Sequence, residues 1–293
     1  MNILLLFPFE DNETGIAIKE AFEHHGHSVA GVDAKDTPEL SFDVFRQNDF
    51  DFVLCSRTAM LYEQIIRIKK HKNVPIAMWN MDTREDLNDW GPLLYAFEYV
   101  DYYFSIGEDY KQHLKHGITS HHLKQGLHDR RYYPVHPTVN QYNKYRSETG
   151  FIGNIIQGMH KSRLELLQTI NDNFEFKSIT GVYGPEHSAA VGSIKVNICD
   201  SMNPQIKNGF SVRNWKIIGA EGVFVERYRE GIEDYYNGFS EHYKTNEEAI
   251  DKVKWILGSY DHYKKIAQKA RRWALSSQCY KHRIKEMLKV VFG

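Results

Sequence analysis

The chain has 293 residues, 42% hydrophobic and 26% charged, enough for one large or two ordinary globular domains and incompatible with wholesale disorder. Its 37 Lys and Arg against 38 Asp and Glu leave a net charge of -1, so nucleic-acid binding through bulk electrostatics is not expected. Three widely spaced cysteines, Cys55, Cys199 and Cys279, supply neither a disulfide scaffold nor a zinc cluster and suit a reducing, cytoplasmic setting.

The first apolar run, ILLLFP over 3–8, is too short to span a membrane and reads as a strand covered on both faces. No later stretch approaches about 18 uninterrupted apolar residues. A helical period follows with Ile18, Ala21 and Phe22 on one side and Gly26 as C-cap. Strands are then expected at 50–55, 74–79 and 101–106, with a helix over 62–70. Strand, helix, strand at this spacing predicts an α/β domain with a mostly parallel sheet.

The stretch 128–150, with Pro134, Pro137 and many polar groups, reads as an interdomain crossing. A second alternation begins at Phe151, with a helix over 160–170 and strands near 176–179, 194–198 and 222–225. Thr245 and Glu248 form a capping box for the run through Leu257, and a further helical pattern carries Ala267, Ala270 and Ala274. The division expected is 1–138, a linker at 139–149, a second domain at 150–273, and a final helical segment at 274–293.

Open parallel sheets bind ligands beyond the carboxyl ends of their strands, and two such edges facing one another would hold a donor and an acceptor. In the first turn, Phe9 to Gly15, the glycine permits close backbone approach near a helix start, although the pattern is not GxGxxG. WNMDTRED follows a strand, placing Asp82, Arg84 and Glu85 at its ligand-facing edge; Asp82 suits a general base or a hydroxyl contact, or simply caps a helix. Gly153 and Asn154 end a strand, Arg163 lies on the next helix, and Lys195 and Arg213 sit in later βα segments. Converging at one edge, Arg163, Lys195 and Arg213 would neutralise a departing nucleotide diphosphate; dispersed, each is an ordinary surface cation. The fifteen histidines form no HExxH or Cys/His pattern, so no metal site is expected. Trp215 is expected in the core, and Lys264, Lys265, Lys269, Arg271 and Arg272 on a solvated helix face.

The ordered segments FIGN, SIKVNI and SVRNWKIIGAEGVFVE, with the interdomain passage HHLKQGLHDRRYYP and the tail YKHRIKEML, resemble the CgeB-like, family-4-related glycosyltransferases. The resemblance implies a GT-B fold of two Rossmann-like domains, with the helical segment 274–293 packing back toward the first domain, a nucleotide-diphosphate sugar as donor, a hydroxyl acceptor and no tightly bound cofactor. It places the diphosphate near Gly153, Arg163 and Arg213, with Lys195 and Asn197 nearby. Nucleoside or sugar contacts fall around Tyr183, Gly184 and the loop from Ala220 to Glu226, which includes Gly222. Where the family commonly carries a ribose-binding glutamate, this chain has Lys216. Either Lys216 contacts phosphate, or Glu221 or Glu226 takes the ribose, or the donor site has decayed into a binding module; nucleotide-sugar epimerisation or hydrolysis is a further alternative. Under a retaining mechanism Arg163, Lys195 and Arg213 act electrostatically and Asp82 orients the acceptor. Under an inverting one Asp82 is the base.

Overall fold

Alternate residues of the first strand face opposite ways, and in this chain both faces are greasy. The computed structural model describes residues 1–10, 14–82, 96–108, 119–155, 161–201 and 206–293, and they divide into two units, 1–125 with 280–293, and 126–279.

In the first unit, β1 (Asn2–Phe7), β2 (Ser28–Asp33), β3 (Phe52–Ser56), β4 (Ile76–Asn80), β5 (Tyr102–Ser105) and β6 (Ser120–His122) form one sheet in the order β2-β1-β3-β4-β5-β6. Every pairing is parallel. Leu4 and Leu6 of β1 pack with Phe45 of α2 (Leu40–Arg46) and Ile65 and Ile68 of α3 (Tyr62–His71). Ile3, Leu5 and Phe7 pack on the other face with Ile18 and Phe22 of α1 (Thr14–His24). That face is closed by the final helix of the chain, Tyr280–Phe292, which buries Tyr280, Ile284 and Met287 there.

The second unit also holds a wholly parallel sheet: β7 (Ser147–Ile152), β8 (Phe176–Ile179), β9 (Ile194–Cys199), β10 (Phe224–Arg227) and β11 (Glu241–Tyr243), ordered β11-β10-β9-β7-β8. Before it comes α4 (Val139–Tyr145); its other helices are α5 (Lys161–Asn171), α6 (Gly184–Ser193), α7 (Val212–Gly219), α8 (Ile232–Tyr236), α9 (Asn246–Gly258) and α10 (Tyr260–Ser277), so the final helix is α11. Phe151, Val196 and Val225 pack with α5 and α9, while Ile152, Ile194 and Phe224 pack with α6, α7 and α10. Trp215 is fully buried, as expected, in an aromatic group with Tyr235, Tyr236 and Trp273.

The chain runs from β7 to β8 and then returns to lay β9 on the opposite side of β7. This reversal opens a crevice between the carboxyl ends of β7 and β9, the usual ligand position in open α/β sheets.

Two expectations about the middle of the chain are corrected. The first unit ends at Gln125 rather than 138, because Leu127 bridges to Cys279 and Tyr132 is buried in the second unit's core. The presumed linker 139–149 contains α4 and the start of β7. Thr138 and Gln141 form a reciprocal capping box there, the N-cap hydroxyl accepting the Gln141 N–H while the glutamine oxygen accepts the Thr138 N–H. Arg271 and Lys264 also depart from the solvated-face reading: they donate to the Gly219 and Glu221 carbonyls at the end of α7.

Candidate functional site

The β7–β9 crevice is built around a glycine and two arginines. Gly153 leaves β7 with φ +153, and a Cβ there would lie 2.6 Å from the Arg213 Nη2. Ser211 caps α7 by accepting the Arg213 N–H, which places Arg213 in the first helical turn. From there its Nε donates to the Ile152 carbonyl at 2.9 Å. Its guanidinium lies 4.6 Å from the centroid of the buried Phe151 ring, and that of Arg163 lies 5.5 Å from the same ring. Two of the three predicted cations therefore converge.

Their tasks differ. Arg163, 5% exposed, donates to the Asp200 carbonyl at 2.6 Å and the Asn154 carbonyl at 3.3 Å, so it straps together the loops that follow β7 and β9. Burial pushes its pKa down, and the nearby Arg213 charge adds to the effect. Arg213 is only half-buried, and its Nη1 has no hydrogen-bond partner. Asp200 is committed to Arg227 through a 3.0 Å ion pair. The exposed Asn154 contributes its backbone carbonyl to the strap.

A second group gathers at the start of α6. Tyr183 is its N-cap, 37% exposed, and Gly184 opens the helix at φ +54 with the Arg131 side chain against its Cα. Tyr132 packs edge-on to His187, ring centroids 5.3 Å apart, and the Lys216 Nζ stands 5.1 Å from the Tyr132 centroid. Lys216 lies one turn beyond Arg213 on α7, so both project from one helix face. His187 is 4% exposed and its Nδ1 has no partner. Burial, then the charges of Lys216 and Arg213, push its pKa down to about 3, so the ring is neutral.

Four expected donor residues fall elsewhere. Lys195 is the exposed second residue of β9, at the amino end of the strand. It is five residues from Asp200, or roughly 16 Å at ~3.3 Å per residue, and does not join the arginines. Asn197 is 1% exposed in mid-strand, where its Nδ2 donates to the Val223 carbonyl. Gly222 turns α7 into β10; a Cβ there would come within 2.4 Å of Val191, so close packing requires the glycine. Glu221, at that same amino end of the sheet, stands 3.9 Å from Arg271 and cannot serve a ligand at the carboxyl edge.

Glu226 is close to the crevice but enclosed, at 0% exposure. Its carboxylate accepts the Ser201 N–H at 2.9 Å and the Asn214 Nδ2 at 2.7 Å. Ser201 Oγ in turn accepts the Ser211 N–H, and Arg229 donates to the Ser201 and Gly209 carbonyls. Glu226 thus ties the 201 loop to the first turn of α7 and orients Arg213 rather than presenting an open carboxylate to ribose. Desolvation raises its pKa, opposed by Arg229 and by the bonds from Asn214 and Ser201.

In the first unit, Gly15 is buried at the start of α1, where a Cβ would stand 2.3 Å from the Pro8 carbonyl. It permits helix and strand to approach closely. Asp82 is exposed just after β4, its N–H donating to Asn80 Oδ1 at 3.2 Å. Arg84 and Glu85 lie outside the described residues.

Sequence reasoning missed Arg131, Tyr132 and His187. The one available signal was the run Tyr183-Gly184-Pro185, since proline early in a helix marks the start of α6.

Residues 163–289 match the family model described as Glycosyl transferase-like. That stretch of the chain is thus similar to glycosyltransferases. The matched stretch includes both crevice arginines and Lys216. No curated protein sequence matches the chain. The whole chain is similar in fold to sucrose-phosphate synthase from Thermosynechococcus elongatus, at 9% identity and TM-score 0.67, covering 99% of this chain and 98% of that one. It is also similar to an E. coli trehalose-6-phosphate structure bound with UDP-2-fluoro glucose, at 8% identity and TM-score 0.69, covering 100% and 99%. T4 phage beta-glucosyltransferase follows at 11% identity and TM-score 0.61, with complete coverage of both chains. The fold is thus that of the GT-B glycosyltransferases, two α/β units each with a parallel sheet, as the sequence resemblance implied.

Proposed function

We propose that this chain moves a sugar from a nucleotide-diphosphate donor to a hydroxyl acceptor, seating the diphosphate in the β7–β9 crevice of the second unit. The observation that carries the reading is Arg213. A half-buried guanidinium with an unpartnered Nη1 lies against a side-chain-free residue at the topological reversal of the sheet. A phosphate oxygen would satisfy that nitrogen, and the missing side chain at Gly153 lets the guanidinium lie against the end of β7.

In the transfer, the bond between the anomeric carbon and the phosphate oxygen breaks, and its electron pair leaves with the nucleotide diphosphate. Arg213 stabilises the charge that develops, and Arg163 adds its field while holding both loops. The acceptor hydroxyl forms the new glycosidic bond and gives its proton either to the departing phosphate, with retention, or to a carboxylate, with inversion. Asp82, exposed at the carboxyl edge of β4, is the candidate carboxylate in the first unit. Lys216, on the same face of α7 as Arg213, fits phosphate recognition better than loss of function. The CgeB-like subfamily and a cytoplasmic location complete the proposal, and no metal is invoked.

The test is incubation with a panel of UDP-, GDP- and ADP-sugars and sugar acceptors, with product anomers read by NMR. Acceptor-dependent release of nucleotide diphosphate is expected. Turnover without acceptor would indicate an epimerase or hydrolase, and binding without turnover a silent binding protein.

A further inference from the structure

Among the described residues, the enclosed polar atoms beside the crevice that lack hydrogen-bond partners include Nη1 of Arg213 and Nδ1 of His187. They arise from different helices, α7 and α6, and belong to one neighbourhood. The His187 ring and the Lys216 Nζ pack on the same Tyr132 ring at 5.3 and 5.1 Å, and Arg213 is one turn from Lys216 on the same helix face. An enclosed donor left unsatisfied is costly, and two in one place mark a seat for a group with several acceptor oxygens. A phosphate group has them.

We propose that His187 is a donor-binding residue of this site, its Nδ1–H bonding a diphosphate oxygen that Arg213 also holds. This deepens the donor reading given above and rests on it. Edge-on packing against Tyr132, itself beside the first residue of α6, fixes the ring, so the hydrogen bond is formed without ordering a mobile side chain. The neutral ring suits the task. Lys216 and Arg213 already supply charge, and a third cation beside them would be repelled in the empty site. The seat thereby combines two cations with one neutral donor, a set that recognises oxygen geometry as well as charge.

The experiment is calorimetric titration of the full chain and its His187→Leu and His187→Asn variants with UDP and with inorganic pyrophosphate. Side-chain ¹⁵N spectra of the wild-type histidines are recorded in parallel. The Leu variant, which has no donor, is expected to lose roughly 10- to 100-fold in affinity for both probes. The Asn variant, whose amide nitrogen falls near the position of Nδ1, should recover most of it. In the wild type, ligand should shift the His187 Nδ1 resonance and slow exchange of its proton, a readout that survives if the Leu variant fails to fold. Unchanged affinity in the Leu variant with an unmoved Nδ1 signal would overturn the role of His187 and leave the donor reading standing. Failure of the wild type to bind either probe would overturn both.

Discussion

Arg213 and His187 show how differently single side chains at one site answer to measurement. Removing the guanidinium in Arg213→Ala deletes a charge-assisted contact of about 1.5–3 kcal/mol, so UDP affinity should fall about 10- to 100-fold. Because Arg213 is half-buried and makes one backbone hydrogen bond, thermal stability should change little by comparison. An unchanged dissociation constant for UDP would remove Arg213 from the site.

His187 also makes a prediction about stability and pH. Its folded pKa, about 3, lies below the ordinary value of 6.5. The unfolded chain therefore binds a proton that the native one refuses, and native stability is lost as pH falls from about 6.5 toward 3. Between pH 7 and 5 this group alone should remove about 2 kcal/mol. Urea titrations at the two pH values check this, and His187→Gln should flatten that part of the profile. An equal slope in the variant would contradict the buried, neutral assignment.

The elements were largely legible in sequence, because parallel strands read as apolar runs and the helices carry their periods openly. Thr245 and Glu248 marked a helix start, and the Thr245 hydroxyl does accept the Glu248 N–H at 3.2 Å. Thr138 and Gln141 form an equivalent signal that was obscured by neighbouring prolines and tyrosines, so α4 was mistaken for linker. Lys195 was misplaced for a different reason. Its strand was read correctly, but a residue near the amino end of a parallel strand stands far from the carboxyl edge where ligands sit. Glu226, Asn197 and Gly222 carry the right chemistry for a ligand, yet burial assigns each to internal bonds or packing.

At this scale α7 offers the sharpest test. A Cβ on Gly219 would stand 2.6 Å from the Tyr132 carbonyl, a backbone atom that cannot swing away. Gly219→Ala should therefore destabilise the second unit by about 1–3 kcal/mol. Because the shift would move Tyr132 and with it the His187–Lys216 group, UDP affinity should weaken in parallel. A melting temperature equal to wild type would show that the loop yields without cost.

On the scale of the whole chain, sequence order and structural unit part company at the C-terminus. The final helix, α11, belongs to the first unit, where Tyr280, Ile284 and Met287 fill the β1–β3–β4 face. Truncation after Cys279 uncovers these contacts, and burying each large apolar side chain is worth about 1.5–3 kcal/mol. Proteolysis followed by mass spectrometry should find the first unit degraded before the second. The opposite order would contradict this division. Among the described residues no helix is long and apolar enough to cross a membrane.

What no sequence pattern displays is convergence. Arg131, Tyr132, His187, Arg213 and Lys216 come from three separated segments, and it is the tertiary fold that brings them together. A crystal structure of the protein with UDP tests that convergence most directly. The diphosphate should lie in the β7–β9 crevice beside Gly153, with an oxygen within hydrogen-bond distance of the Arg213 Nη1. Clear density for UDP at any other place, with that nitrogen still unpaired, would contradict it.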